Sequence, residues 1–382
     1  MKAKTKTTFK KLLLSLPFLL DKHVILLESS PDFSDNTKYV FDELIKRKLN
    51  ENYKIYWIVQ DERPFTSVHI KNVYFCNRSS SKYRKLHLTA KYIIDSNIFV
   101  SKIWKNQFRI HLGHGYPIKM TYEYCSSIGE IDYFTTISPF FDKYFRDLFN
   151  INNSQIKTLG SPRNDGFFND THYHIFPEIS RKKTILWMPT YRNHKNKNAT
   201  RTGIRFPFGV PCIDSKSDLE TLNSMLKKAD ILLVLKLHPA EDLSKITSAK
   251  LSNIKIFENS ILKPTGPQLY DMLKDFDALI TDYSSVYYDF LLTQKPIGLA
   301  IPDIEEYSKT CTLISNDITE YVKGDYIYSL KDLINFINLV ATGKDPAKKE
   351  LAWALDKYHT YKDGNSSKRV IDLLLEKMEE DR

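Results

Sequence analysis

The sequence predicts an α/β protein of two doubly wound parallel-sheet domains that face each other across a cleft. The chain has 382 residues, which is long for one hydrophobic core and sufficient for two. Short apolar stretches alternate with amphipathic ones, as in parallel sheets covered by helices. Hydrophobic residues make up 42% of the chain. Enough apolar side chains therefore exist to fill two cores, and a disordered chain is excluded.

The first half of the chain contains the strands of the first predicted sheet. Each is short and either apolar or rich in β-branched and aromatic residues, which is typical of buried parallel strands. Apolar residues at helical spacing lie between the first two strands, in Thr37–Lys48. The predicted strands are His23–Glu28, Tyr53–Val59, Tyr92–Asp95, Phe108–Leu112 and Tyr133–Ile137.

A second series of strands begins near residue 183. Pro189 and Pro239 follow the first two of these strands and end them. Between the same two strands, residues 191–216 are rich in Asn, Lys, Arg, Gly and Pro and lack periodicity, which predicts a functional or mobile loop. The predicted strands are Thr184–Met188, Ile231–Leu237, Ile254–Phe257 and Ala278–Thr281.

The two series predict two domains of similar size, the architecture called GT-B. We expect an N-terminal domain in residues 1–180 and a C-terminal domain in residues 181–360. Residues 361–382 contain a charged amphipathic helix, Ser366–Glu380, which we expect to pack back on the N-terminal domain. Ligands of such sheets bind beyond the carboxyl ends of the strands. The polar motifs at strand ends are therefore the candidates for chemistry.

The charge and composition of the chain limit the classes of ligand that it is expected to bind. The net charge of +10 suits phosphorylated substrates, an anionic membrane surface or nucleic acid equally well, and no nucleic-acid-binding motif is present. With 12 glycines and no Walker or GxGxxG loop, phosphate would be bound by side chains and helix N-termini. The four cysteines lie far apart without a CxxC spacing, which indicates isolated thiols of a cytosolic protein.

At the N-terminus, five lysines between Lys2 and Lys11 precede a nine-residue apolar run, Leu12–Leu20. This has the outline of a signal peptide but lacks a small-residue cleavage site. The run is also far shorter than the roughly 20 residues that span a bilayer. We expect a basic amphipathic segment that contacts an anionic membrane surface. The alternative is a first helix packed on the domain.

Two histidines follow predicted strands, one in each predicted domain. His114 lies in His111-Leu-Gly-His-Gly-Tyr-Pro-Ile-Lys119, and His238 lies in Lys236-Leu-His-Pro239. A single strand-end histidine is more often structural, but a pair favours catalysis, because imidazole can accept a hydroxyl proton or, when charged, stabilise phosphate oxygens. No third ligand lies at short spacing and HExxH is absent, so no metal is predicted.

Three further clusters follow strands. Ser284 and Ser285 precede the helix-like stretch Val286–Leu292, and a helix N-terminus attracts anions; the alternative is a plain N-cap. Asp282 either caps the same helix or holds a basic side chain. The other clusters are Arg163, Asn164 and Asp165 after Gln155–Leu159, and Arg192 after Thr184–Met188.

In order and spacing, these motifs resemble the CDP-glycerol glycerophosphotransferase family, the priming and polymerising enzymes of teichoic acid and related capsule polymers. The resemblance covers residues 23 to 375. It implies a GT-B-like fold and a peripheral protein at the cytoplasmic face of a bacterial cell membrane. The motifs that carry it are Glu28-Ser29, Ser34–Tyr39, His114–Lys119, Pro162–Asp165, Pro189–Arg192, Leu237–Pro239 and Thr281–Ser285.

The resemblance implies that a polyol hydroxyl attacks the β-phosphorus of a CDP-polyol and releases CMP. His114 would be the general base, and His238 would stabilise the donor pyrophosphate. Residues 1–180 would form the acceptor side and residues 181–360 the CDP-donor side. The other donor-binding candidates are Arg163, Arg192, Lys236, Thr281, Asp282, Ser284 and Ser285, and further site candidates are Gly115, Lys119, Asn164 and Asp165.

Three departures from the family pattern leave the substrates open. Gly113 and Tyr116 stand where the family often has Trp and Thr or Ser, and Lys236 replaces an Arg; Lys keeps the charge but not the bidentate fork. The donor is expected to be CDP-glycerol or CDP-ribitol, the acceptor a lipid-linked or growing polymer, and no cofactor is expected. The alternatives are a GT-B glycosyltransferase that uses a CMP- or UDP-sugar and a non-catalytic membrane-associated scaffold.

Overall fold

Seven parallel strands form the first sheet of the computed structural model. They are β1 (Asp21–Ser29), β2 (Lys54–Val59), β3 (Val73–Asn77), β4 (Ala90–Ser96), β5 (Phe108–His111), β6 (Tyr133–Thr136) and β7 (Ile156–Thr158). Their order in the sheet is β3-β2-β1-β4-β5-β6-β7. Val24–Leu27 in β1 are all buried because β1 is hydrogen-bonded on both sides, to β2 and β4, and helices cover both faces of such a sheet.

Six parallel strands form the second sheet. They are β8 (Lys183–Trp187), β9 (Ile231–Leu235), β10 (Ile254–Ile256), β11 (Ala278–Thr281), β12 (Ile297–Ala300) and β13 (Asp325–Ile327). Their order is β10-β9-β8-β11-β12-β13. In both sheets the chain starts in the interior and reverses its direction of growth, which leaves a crevice at the carboxyl ends of the central strands.

Helices connect the strands. The α-helices are α1 (Asp35–Lys46), α2 (Ser81–Thr89), α3 (Asp142–Phe149), α4 (Lys216–Ala229), α5 (Ser244–Thr247), α6 (Leu269–Leu273), α7 (Val286–Leu291), α8 (Ile304–Thr310), α9 (Leu330–Thr342), α10 (Lys348–Tyr358) and α11 (Ser366–Glu380). Short 3₁₀ helices are Leu49–Glu51, Arg63–Phe65, Pro139–Phe141, Asn153–Gln155, Pro162–Phe168, Asn259–Ile261 and Ile318–Glu320.

The structure describes residues 20–98, 101–119, 129–173, 175–176, 183–192, 204–238, 241, 244–249, 251–315 and 317–382. The predicted membrane-contacting segment lies outside these residues except for Leu20, and so does the part of the 191–216 loop from 193 to 203. Within the described ranges, no helix is both long enough and apolar enough to cross a membrane.

The last helix, α11, packs on the first sheet. Its apolar face, which includes Ile371 and Leu374, lies in one buried cluster with Ile25 of β1 and Val40 of α1. Its N-terminus is held by the Asp165 carboxylate, which accepts hydrogen bonds from the backbone N–H groups of Ser366 and Ser367 at 2.8 and 2.7 Å. A carboxylate at this position also opposes the positive end of the helix dipole.

Three strands of the structure were not predicted from the sequence: β3, β12 and β13. Each has only three to five residues, which is too short for a clear period. Gly298 interrupts the apolar run of β12, where an added Cβ would lie 2.8 Å from Ile327 Cδ1. Close packing between neighbouring strands therefore excludes a larger side chain there, and the second sheet is wider than its sequence pattern indicates.

Candidate active site

A cavity of about 490 Å³ at the carboxyl end of β5 is lined by His114 and by Ser284 and Ser285. The loop after β5 also contributes Gly115 and Lys119 to its polar side. Part of the lining is apolar, because α3 and β6 contribute aromatic and aliphatic side chains. These are Phe134, Tyr144, Phe145, Leu148 and Phe149.

His114 is paired with Asp35, the first residue of α1. The His114 Nδ1 lies 2.5 Å from Asp35 Oδ2, and the imidazole is 54% exposed whereas the carboxylate is 5% exposed. Burial would raise the pKa of Asp35, but the charges of His114 and Arg163 outweigh it and hold that pKa below its ordinary value. A charged Asp35 accepts a hydrogen bond from Nδ1–H of His114. Nε2 is then the nitrogen that can take a proton from a ligand.

Asn36 fixes the position of this pair. Its Nδ2 donates to the carbonyl oxygens of Leu112 and Gly113, both at 3.2 Å. Its Oδ1 accepts from Ser161 Oγ at 2.9 Å and from the backbone N–H of Arg163 at 3.1 Å. One buried amide therefore joins the start of α1, the loop that carries His114 and the 3₁₀ helix Pro162–Phe168.

Arg163 bridges the two halves of the molecule. Its guanidinium is fully buried and lies 3.0 Å from Asp35 and 2.8 Å from Asp289 of α7, and it also donates to the carbonyl oxygen of His114. Its planar face lies 4.1 Å from the Tyr270 ring. These contacts engage the guanidinium inside the protein, and the predicted role of Arg163 in binding donor phosphate stays a prediction.

Two neighbours of Arg163 also have internal partners. Asn164 is buried and hydrogen-bonds through its side chain to Asp289. Asp165 caps α11, as described above. Both side chains therefore support the frame of the site, and their predicted place on the ligand-binding surface stays a prediction.

Arg192 is the counterpart of Arg163 in the second sheet. Its buried guanidinium lies 2.8 Å from Asp282 and 3.0 Å from Asp303, above the rings of Tyr283 and Tyr307 at 5.1 and 4.7 Å. Asp282 thus holds a basic side chain, the second of its two expected roles. These contacts engage both side chains inside the protein, and the predicted binding of the donor by Arg192 and Asp282 stays a prediction.

Thr281 is likewise internal. It is buried, and its Oγ1 donates to the carbonyl oxygen of Met188 at 2.8 Å. Asp282 accepts a hydrogen bond from the Thr190 backbone N–H at 2.8 Å. The end of β11 is therefore hydrogen-bonded to the segment after β8, and the donor-binding role of Thr281 stays a prediction. These contacts of Thr281 and Asp282 position the loop that contains Ser284 and Ser285.

Ser285 and Gly115 lie in contact with each other. Gly115 is in the loop after β5 of the first sheet, and Ser285 is in the loop after β11 of the second sheet. A Cβ added at Gly115 would be 2.7 Å from Ser285 Oγ, so only glycine fits without displacing the serine. Ser285 is the N-cap residue of α7 but makes no side-chain capping hydrogen bond. Its hydroxyl and that of Ser284 line the cavity beside His114.

The His114 loop is anchored in the second half of the chain. Tyr288 Oη donates to the Pro117 carbonyl at 3.0 Å, and the Ile314 N–H donates to the Ile118 carbonyl at 2.8 Å. Lys119 pairs as an isolated antiparallel bridge with Leu313. The loop therefore reaches the cavity with a fixed backbone, and Lys119 lies at its rim.

His238 and Lys236 occupy a different part of the carboxyl edge. His238 is exposed and its ring stacks on the Tyr191 ring at a centroid distance of 4.4 Å. Lys236 Nζ donates to Asn259 Oδ1 at 2.7 Å, and burial lowers the pKa of Lys236. Neither residue is among the described residues that line the His114 cavity.

Residues 8–376 match the family described as CDP-Glycerol:Poly(glycerophosphate) glycerophosphotransferase. The chain belongs to this family. The family resemblance drawn from the strand-end motifs is confirmed.

Among curated members of the glycerophosphotransferase family, the chain is 28% identical over 255 residues to the teichoic acid ribitol-phosphate primase of Bacillus spizizenii. It is 30% identical over 245 residues to the teichoic acid glycerol-phosphate primase of Bacillus subtilis. Each match covers 64% of this chain, and 59% and 57% of the two primases. The chain thus spans less than two thirds of the length of these relatives.

A solved structure of the wall teichoic acid polymerase TagF has the same fold. The TM-score is 0.74 at 21% identity, and the match covers 97% of this chain and 93% of the other. The predicted GT-B-like fold with two parallel-sheet domains is confirmed.

Three residues of this family member's site were not predicted from the sequence as site residues: Asp35, Asn36 and Asp289. Asp35 and Asn36 lie within the Ser34–Tyr39 motif, which carried the resemblance without a role for either side chain. Asp289 is preceded by apolar residues in a helix-like stretch and gives no separate signal. Within the described ranges, no group of three or more His, Cys, Asp or Glu side chains could hold a metal ion.

Proposed function

We propose that this protein transfers a polyol phosphate from a CDP-polyol to the hydroxyl of an acceptor polymer and releases CMP. The observation that carries the proposal is His114, which lies 2.5 Å from Asp35 and lines one cavity with Ser284, Ser285 and Lys119. Membership of the glycerophosphotransferase family supports the donor class. Phosphoryl transfer needs chiefly positioning and charge stabilisation, which these groups can supply.

In the proposed reaction, His114 Nε2 removes the proton of the acceptor hydroxyl while its oxygen attacks the β-phosphorus of the donor. The new O–P bond forms as the bond from phosphorus to the bridging oxygen breaks, and CMP leaves with that electron pair. Asp35 stabilises the imidazolium that results. The hydroxyls of Ser284 and Ser285 and the ammonium of Lys119 are the groups of the cavity that can bind the phosphate oxygens.

His238 remains a donor-side candidate in this proposal. It is exposed at the carboxyl end of β9 and stacks on Tyr191, and an exposed imidazole at a sheet edge can bind phosphate oxygens. A solved TagF structure was soaked with CDPG, which supports a CDP-glycerol donor, and the ribitol-phosphate primase among the relatives supports CDP-ribitol as well.

A donor screen tests the proposed reaction. The protein is incubated with CDP-glycerol, CDP-ribitol, CMP-sugars and UDP-sugars in the presence of a teichoic acid primer, and nucleotide release is measured. We expect CMP only from one or both CDP-polyols. Release only from nucleotide sugars would contradict the proposal and favour a glycosyltransferase. If no donor reacts and His114→Ala leaves polymer synthesis in cells intact, a scaffold role is favoured.

We further propose that the protein works at the cytoplasmic face of a bacterial membrane, with a lipid-linked or growing polymer as acceptor. The excess of basic residues, 56 against 46 acidic ones, supports attraction to anionic lipid. We expect binding to vesicles that contain phosphatidylglycerol to weaken as salt rises. Sedimentation with vesicles measures it. Equal binding by a variant that lacks residues 1–20 would contradict a role for the N-terminal segment.

A further inference from the structure

Asp289 lies on the opposite side of Arg163 from the Asp35–His114 pair. It belongs to α7, the helix that follows Ser284 and Ser285. Its carboxylate accepts from Arg163 Nε at 3.2 Å and from Nη2 at 2.8 Å, and it is buried. Two hydrogen bonds from one guanidinium to one carboxylate fix the plane of the guanidinium.

That plane decides where the remaining guanidinium nitrogen points. Arg163 Nη1 lies 3.0 Å from Asp35 Oδ1 and donates to the carbonyl oxygen of His114. The other Asp35 oxygen accepts from His114 Nδ1. The four charged or chargeable groups therefore form one continuous chain, Asp289 to Arg163 to Asp35 to His114, from the second sheet to the first.

We propose that Asp289 is a positioning residue that couples the serine-bearing helix α7 to His114 through Arg163 and Asp35. The inference rests on the proposed role of His114 as general base. Without Asp289, the guanidinium is free to turn and chelate Asp35 with two hydrogen bonds. The hydrogen bond from His114 Nδ1 to Asp35 would then be weaker, because Arg163 would occupy both carboxylate oxygens. One negative charge would also be lost from the cluster.

Both changes act in the same direction. A weaker hold by Asp35 and a lost negative charge each disfavour the imidazolium, so His114 becomes a weaker base. The other titratable side chains that face the cluster are Tyr116 and Tyr270, and burial raises the pKa of each above its ordinary value. Both phenols therefore stay neutral, and the charge of the cluster is set by the side chains of Asp289, Arg163, Asp35 and His114.

Asp289→Asn tests the coupling with little change in shape. We expect the acid limb of the pH profile of kcat/KM to move to lower pH by about half a unit or more. We expect the titration midpoint of His114, followed by NMR of ¹³Cε1-labelled histidine and assigned with His114→Gln, to move in the same direction. Asp289→Ser, which is smaller and also neutral, should give the same shift if Asn is poorly accommodated.

Asp303→Asn is the matched control. Asp303 is also buried and also holds a buried arginine, Arg192 at 3.0 Å. It accepts a hydrogen bond from Tyr283 Oη at 3.1 Å, and none of the described contacts joins it directly to Asp35. It should lower the thermal midpoint to a similar extent and leave the His114 midpoint unchanged. An unchanged His114 midpoint in both Asp289 variants, or an equal shift in Asp303→Asn, overturns the proposal.

The NMR measurement also separates this inference from the proposed function, because it needs no donor. A shifted His114 midpoint in a protein that releases CMP from neither CDP-polyol supports the coupling while the proposed reaction fails. An unshifted midpoint in a protein that does release CMP overturns the coupling alone.

Discussion

Replacing His114 by alanine is expected to lower kcat by about 10²-fold or more, which is the usual scale for a positioned general base. KM should change much less, because proton removal stabilises the transition state and contributes little to ground-state binding. Steady-state CMP release with the donor that the screen identifies measures both constants.

Asp35→Asn should lower kcat in the same assay by about 10-fold or more, although it keeps the shape of the side chain. An asparagine amide can donate to His114 Nδ1, which moves the ring proton to Nε2 and removes the lone pair that the base needs. KM should again stay close to the wild-type value. The two variants together therefore test whether Asp35 acts on the tautomer and charge of His114.

His172 provides a matched control for both variants. Its Nδ1 lies 2.5 Å from Asp275 and the ring is 63% exposed, so it forms the same kind of pair away from the cavity. His172→Ala should keep kcat within about twofold of wild type, the range for a surface change away from the site. A His114→Ala enzyme within a few-fold of wild type would show that His114 is not the base.

The sequence predicted the position of His114 because a strand followed by Gly-Tyr-Pro exposes a side chain at a sheet edge. It could not predict Asp35 as the partner. The two residues are 79 positions apart, and their contact depends on how α1 packs on the sheet. It also depends on Asn36, whose four hydrogen bonds join three separate segments. Such contacts are set by tertiary packing, which leaves no local pattern in a single sequence.

The polar strand-end residues show a second kind of contact that a single sequence does not reveal. Arg163, Arg192 and Asp282 have the charge and location of ligands, yet each is buried in an ion pair. A sequence pattern places a charged residue near a sheet edge but does not show whether that residue forms an ion pair inside the protein. Here each arginine has two aspartates as partners, and all four aspartates are at least 90 positions away from their arginine.

The fold itself was largely predictable, because strands such as Ile231–Leu235 are apolar throughout and are bounded by proline or polar residues. The strands that were missed, including Asp325–Ile327, gain their stability from a neighbour in the sheet. Their own residues have no strand period. Short strands of this kind depend on pairing, so their prediction needs the tertiary structure.

The largest loss of stability is expected from Arg163→Met. The substitution fills a similar volume but leaves Asp35 and Asp289 buried without their shared counter-charge. Removing one partner of a buried ion pair typically costs about 3–5 kcal/mol of unfolding free energy. Urea denaturation followed by circular dichroism measures that free energy, with the slope of the transition checked for a change in the unfolded state.

The pH dependence of this loss identifies its cause. In the wild-type protein, Asp35 has a lowered pKa, so its contribution to stability is present at neutral pH and is lost as pH falls. In Arg163→Met, the unpaired carboxyls would have raised pKa values, and a raised pKa favours the folded state as pH falls. The deficit of the variant relative to wild type should therefore shrink from pH 8 towards pH 5.

Two further variants make the test specific. Arg163→Lys keeps the charge but cannot reach both carboxylates with a planar fork, so its loss should lie between those of wild type and Arg163→Met. Arg63 is exposed and pairs with Asp61, and Arg63→Met should leave the denaturation midpoint unchanged. A deficit for Arg163→Met that stays constant from pH 8 to pH 5 would mean that lost packing, and not the two unpaired carboxylates, destabilises the protein.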